Sequence, residues 1–143
     1  MIQIKTVNWQ SEHTKIREIR RRVFIHEQHV PEALEWDGRD TSATHALAYK
    51  SRQAIATGRL LDDGHIGRMA VLENYRHQGI GSQVLQHLVQ LATHNGSQQV
   101  ILSAQVQAIP FYQAHGFSTQ GETYLDAGIP HQDMVLALQT GKG

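Results

Sequence analysis

The stretch YRHQGIGSQ, residues 75–83, joins an apolar run to a helical stripe and constrains the fold more than any other part of the chain. Before it, HIGRMAVL (residues 65–72) reads as a strand entered through the Asp63-Gly64 turn. After it, Ile80, Val84, Leu85, Leu88, Leu91 and Ala92 recur at helical spacing until Asn95-Gly96 stops the helix. A strand, a tight turn and a helix N-terminus together make a cradle for an anion. Successive backbone N–H groups converge there, and the helix dipole favours negative charge. Gly79 and Gly81 let backbone approach a phosphate where a Cβ would intrude. The same glycines also suit a merely close-packed strand-to-helix turn, so the pair alone leaves both readings open.

The rest of the chain supplies more strands and short helices. Ile2, Ile4 and Thr6 alternate with Gln3, Lys5 and Val7 as a first strand. Ser11 is the expected cap of a helix carrying Ile16, Ile19 and Val23 on one stripe. Residues 31–40 read as a loop with room for one helical turn. HALAYK and AIATGRLL, separated by the polar SRQ, predict a hairpin. QQVILSA is a short buried strand, and QAIPFYQAHG a short helix with Pro110 in its first turn and Gly116 as its stop. FSTQGETYL and HQDMVLALQ complete the pattern. The order β-α-β-β-β-α-β-α-β-β, with no repeat, linker or low-complexity segment, predicts one α/β domain over residues 1–143.

Composition removes several functions. Net charge is zero, with 13 basic and 13 acidic residues, which argues against a polybasic surface for nucleic acid or an anionic membrane. There is no cysteine, so disulfides, thiolate metal sites and a cysteine nucleophile are all excluded. The N-terminus lacks the apolar block of a signal peptide, and no run approaches the ~18 apolar residues of a membrane span. A cytoplasmic protein is expected. HEQHV, residues 26–30, is not a zincin motif: position 30 is valine, and His26 and His29 at i, i+3 make a weak pair. No metal is expected.

Two nucleotide readings of the glycine turn fail. A dinucleotide fingerprint needs a third small residue where Val84 stands, and an acidic residue ~20 positions on, where none occurs before Glu122. A P-loop needs a lysine, and none occurs between Lys50 and Lys142. Charge is nonetheless arranged for an anion: residues 74–121 contain no Asp or Glu, and Arg76 is their only Arg or Lys. Ten of the thirteen acidic residues precede this stretch, and that half is the expected site for a cationic substrate.

VLENYRHQGIGSQVLQHLVQLA matches the Gln/Arg-x-x-Gly-x-Gly/Ala motif of the GCN5-related N-acetyltransferases (GNAT), and FYQAHGF resembles their second signature. VFIHEQHVPEALEWDGRD, IGRMAVL and AGIPHQDM resemble an ElaA-like subgroup of that superfamily, so the likeness covers nearly the whole chain. It implies a mixed, mostly antiparallel central sheet with a V-shaped splay between strands 4 and 5, flanked by helices. It also implies acetyl-CoA as cosubstrate: the pantetheine arm against the backbone of Met69, Ala70 and Val71, and the diphosphate against Arg76, His77, Gln78, Gly79, Ile80, Gly81 and Ser82. The family often has glycine at position 77 and asparagine near Ala104, and this chain departs from it at both. Dimers are common in the family, which keeps a homodimer open.

The implied activity is transfer of acetyl to a primary amine, expected on a small molecule, by direct attack. A non-catalytic acyl-CoA sensor and a protein or peptide N-acetyltransferase are the alternatives. The reaction requires a base for the ammonium, a donor for the oxyanion and an acid for the leaving thiolate. By resemblance, Tyr112 lies beside the sulfur and is the candidate acid, and an N–H near Ala70 or Val71 the oxyanion donor. Imidazole suits the base at neutral pH; His131 in GIPHQDM is the candidate, with Glu27 as its rival, acting directly or through water. Glu27, Asp37 and Asp40 are the carboxylates expected to attract an amine, although a turn-forming loop would also use them. Arg20, Arg21 and Arg22 would span most of a helix's circumference, so at most one or two could face a substrate or phosphate, and a solvated setting is expected for them.

Overall fold

In the computed structural model, which describes residues 1–138, the chain begins with β1 (Ile2–Val7) and α1 (Trp9–Arg20). Asn8 caps that helix: its side-chain oxygen accepts from the Ser11 N–H at 2.8 Å, so Ser11 is the capped residue and not the cap. An asparagine just before the helix places its oxygen over the second or third N–H, which Ser11 inside the first turn cannot do. The helix then widens into a π segment, Arg21–Glu27, with Gln28 N–H donating to Val23 C=O at 3.2 Å. α2 (Glu32–Glu35) is the single turn expected in the loop.

β2 (Thr44–Lys50) and β3 (Gln53–Leu60) form the predicted hairpin. Ser51 and Arg52 have φ of 50° and 73°, the left-handed pair that matches the twist of the strands. There follow β4 (Ile66–Val71), α3 (Ile80–His94), β5 (Gln99–Gln105), α4 (Ile109–Ala114), β6 (Ser118–Asp126) and β7 (Ile129–Ala137). Gln139, at the end of the last expected strand, lies outside the described residues.

The strands form two antiparallel sheets, β1-β2-β3-β4 and β5-β7-β6. They meet at one parallel bridge, His65 with Ile101, where Ile101 N–H donates to Gly64 C=O at 3.1 Å. Beyond this bridge β4 and β5 part, giving the expected splay. α3 buries Ile80, Val84, Leu85, Leu88 and Ala92 against Ala46, Ala48, Ile55, Ala56, Val100, Leu102 and Met134. On the other side, Ile16, Ile19 and Val23 pack with Leu47, Ala70 and Leu72.

β4 is irregular where the splay begins. Thr57 pairs with Ala70 and Arg59 with Gly67, so Arg68 and Met69 together face Gly58 in a bulge, and Arg68 takes φ 50°. Gly58 is required there: a Cβ would come within 2.8 Å of Met69 Sδ and Leu88 Cδ1 and 2.9 Å of Val84 Cγ1. The bulge interrupts the ladder beside the cleft, leaving backbone groups of β4 for another partner.

Candidate active site

The splay opens a cleft of about 910 Å³. Met69, Ala70, Val71, Arg76, His77 and Gly81 line one wall, and Tyr112 and His131 line the other. Residues separated by more than forty positions thus share one space. Gln78 and Gly79 are exposed on the turn, Ser82 is half-buried, and the Ile80 side chain belongs to the core, so only its backbone can serve a ligand.

At the turn, Gly79 takes φ 80° and starts α3 with no side chain capping it. The first N–H groups of the helix therefore have no intrahelical partner and no cap. His77 has φ 63°, a left-handed conformation that glycine adopts freely and histidine does not; that is the physical meaning of the family's glycine at this position. A Cβ on Gly81 would have only ordinary contacts, 3.7 Å to Phe111 Cζ and Val71 Cγ2. The residues present fit a diphosphate: free donors, a dipole of the right sign and little side-chain bulk. Arg76 is more constrained than the sequence suggests. Its Nε donates to Val71 C=O at 2.8 Å, and its two terminal nitrogens donate to Glu27 at 3.0 and 2.8 Å. Ser82 Oγ is hydrogen-bonded to Nε2 of His115, the residue just after α4, at 2.9 Å.

At the other end, Tyr112 packs edge-on to Phe111 and Phe117, with ring centroids 5.0 and 5.8 Å away. Burial pushes its phenol up to about 12, so it stays protonated throughout the physiological range and keeps a proton to donate in a hydrogen bond. His131 Nδ1 lies 2.7 Å from Ile129 C=O. A carbonyl only accepts, so Nδ1 carries the proton and a neutral ring presents its lone pair at Nε2. The ring stacks on Tyr124 at 6.2 Å, and the Tyr124 hydroxyl donates to Asp133 at 2.6 Å and contacts the Ser103 hydroxyl. Gln105, the β-ladder partner of His131, bridges the cleft by donating to Gln28 at 2.8 Å.

The carboxylates are not disposed as the sequence predicts. Glu27 does not line this cleft: its two oxygens are taken by Arg76, and it borders a separate hollow of about 270 Å³ with His26 and Tyr75. Asp40 is buried and accepts from Arg20 at 2.6 Å and Arg59 at 3.0 Å, so it offers no free charge to an amine. Asp37 does line the cleft, but Arg59 grips both its oxygens and Arg68 lies 3.3 Å away. Burial alone would raise the Asp37 pKa; the Arg59 hydrogen bonds overcome it and hold the carboxyl down at about 2. Arg20, expected on a solvated face, is fully buried between Glu35, 2.7 Å away, and Asp40. A signal for this was present: Arg20 lies four residues after Ile16 and three before Val23, on the apolar stripe itself. Among the described residues no three His, Asp or Glu side chains form a metal-binding group, and no helix is long and apolar enough to cross a membrane.

Comparison with known proteins agrees with this geometry. Residues 9–138 match the family model described as acetyltransferase (GNAT) domain. The uncharacterized N-acetyltransferase YjcF of Bacillus subtilis is 36% identical over 121 residues, covering 82% of this chain and 86% of that protein. Protein ElaA of Escherichia coli is 32% identical over 126 residues, 82% of each chain, and its crystal structure superposes with a TM-score of 0.85 over 95% of this chain and 99% of its own. An acyl-CoA N-acyltransferase from Pseudomonas aeruginosa superposes with a TM-score of 0.86 at 31% identity, over 96% of this chain and all of that one. The cleft between β4 and β5, the uncapped glycine turn and these likenesses lead to one conclusion: the chain belongs to the GNAT family of acetyltransferases.

Proposed function

We propose that the protein transfers acetyl from acetyl-CoA to a primary amine of a small molecule by direct attack. The observation that carries this reading is the sharing of one cleft by an uncapped helix N-terminus and by Tyr112 and His131. Acetyl-CoA supplies the activated acyl group. The N–H groups of residues 79–82 hold the diphosphate, and backbone of Met69, Ala70 and Val71 lines the pantetheine path. The Nε2 lone pair of His131 accepts the proton that the attacking amine sheds, directly or through a water. The new N–C bond forms as the C–S bond breaks, and an N–H of β4 beside the bulge stabilises the carbonyl oxygen.

Tyr112 donates a hydrogen bond to the departing sulfur. Complete proton transfer from a phenol at about 12 to a thiolate of ordinary pKa would be uphill by over three pKa units, about 4–5 kcal/mol. Tyr112 therefore stabilises the thiolate as a donor, and solvent completes its protonation. Loss of that donor in Tyr112→Phe should slow turnover roughly 10–100-fold with acetyl-CoA affinity kept, as measured by thiol release and calorimetry. An unchanged rate would reduce Tyr112 to packing.

The test of the whole reading is His131→Ala. Turnover at neutral pH should fall by roughly 10²–10⁴-fold while acetyl-CoA binding holds. A wild-type rate in that variant would assign the proton to another group. If acetyl-CoA binds and no amine in a panel of amines, polyamines, amino acids and peptides releases thiol, the chain is a binding module.

A further inference from the structure

Three acidic residues beside the cleft are already neutralised within the protein, whereas Asp126, which also lines it, forms no salt bridge among the described residues. Glu35, Asp37 and Asp40 face Arg20, Arg59 and Arg68, three carboxylates against three guanidiniums. An ammonium entering the cleft finds no unclaimed charge in this group. The guanidiniums are unequal: Arg20 is buried, Arg59 reaches the cleft wall but is buried and grips both oxygens of Asp37, whereas the Arg68 side chain on the same wall is 25% exposed. Its Nε lies 3.2 Å from Glu35, and its Nη2 points back to Glu35 C=O and Asp37. Its Nη1 makes no hydrogen bond among the described residues.

The placement of Arg68 is as informative as its charge. It is the bulged residue of β4 and holds a left-handed φ of 50°, a conformation that arginine rarely adopts and that needs a compensating reason. The bulge aims its side chain along the wall that also carries Met69 and Ala70.

We propose that the acceptor is an amine that also carries a carboxylate, α-amino acids being the simplest class, and that Arg68 binds the carboxylate. The inference rests on the acyl-transfer reading above and adds the substrate class to it. The unbonded Nη1 can donate a charge-assisted hydrogen bond to one carboxylate oxygen. In a cluster already balanced, Asp37 opposes a singly charged carboxylate less than a doubly charged phosphate. With its carboxylate on the bulge residue, an α-amino acid keeps its amine within the same cleft, on the carbon next to that carboxylate.

Calorimetry on the CoA-loaded protein tests this without requiring the true acceptor. The probes are N-acetylglycine, N-acetylleucine and N-acetylglutamate, each against its α-carboxamide. The acids should bind at least tenfold more tightly than the amides. Arg68→Gln should bring the ratio to within about twofold, Arg68→Lys should keep part of it, and CoA affinity should be the same in all three proteins. Equal binding of acids and amides by the wild type, a preference that survives Arg68→Gln, or binding of neither set by protein that holds CoA would each overturn the proposal. Wild-type protein that does not bind CoA overturns the acyl-transfer reading itself, a distinct result.

Discussion

Replacing Gly81 by glutamate should abolish the thermal stabilisation that acetyl-CoA gives the wild type. With ligand at about a hundred times its Kd, binding contributes roughly 2.7 kcal/mol, a rise in Tm of several degrees for a chain of this size. The substitution puts a carboxylate among the N–H groups that receive the diphosphate. Two unit charges ~4 Å apart repel by about 4 kcal/mol at an effective dielectric of 20, close to three orders of magnitude in affinity. The fold itself should tolerate the change. The new Cβ has nothing closer than 3.7 Å, and a negative side chain is favoured in the first turn of a helix. The unliganded Tm should therefore stay level or rise while the ligand-induced shift, followed by scanning fluorimetry, disappears. A retained shift would mean that the phosphates lie elsewhere.

The largest loss of stability should come from Arg20→Leu. Arg20 is completely buried and holds Glu35 at 2.7 Å and Asp40 at 2.6 Å; Trp9 and Trp36 flank its guanidinium. Removing it takes the nearest cation from two buried carboxylates, leaving Glu35 only Arg68 and Asp40 only Arg59, a change that costs about 3–5 kcal/mol where the whole fold has ~5–15 kcal/mol. Denaturant unfolding measures this directly. The pH dependence has a definite sign. Burial already raises the Glu35 pKa against the pull of Arg20 and Arg68, and without Arg20 it rises further. A carboxyl whose pKa is raised on folding holds its proton better in the native state, so the variant should recover stability as the pH falls from 7 toward 4.5, the ordinary glutamate value. Asp37 behaves oppositely: held at about 2 against an ordinary 3.8, its contribution is present above pH 3.8 and lost only as the pH falls through 2. A variant no less stable than the wild type would show that the ion cluster contributes nothing net.

The framework of the molecule was readable because it rests on local rules. The helical stripe from Ile80 to Ala92, the Ser51-Arg52 turn and the stop at Asn95-Gly96 are dictated by periodicity and turn chemistry, and the structure has each of them. The splay came from motif likeness, since no periodicity reveals where two strands part. Charged residues defeated the reading because partners distant in sequence decide their state. Asp40 looked available until Arg59, nineteen positions on, was seen to claim it. Glu27 looked catalytic, but it anchors Arg76 from outside the cleft. Arg68 carried no signal, because a bulge in β4 exists only in three dimensions.

Amide hydrogen exchange of the wild type with and without acetyl-CoA tests the donor site most directly. Bound cofactor should slow exchange at residues 69–71 of β4 and 77–82 of the turn and first helical turn, leaving β1 and α1 unchanged. Protection that spares residues 77–82, or that appears instead around Arg22, His26 and Glu73 at the smaller hollow, would contradict the placement of the donor between β4 and β5.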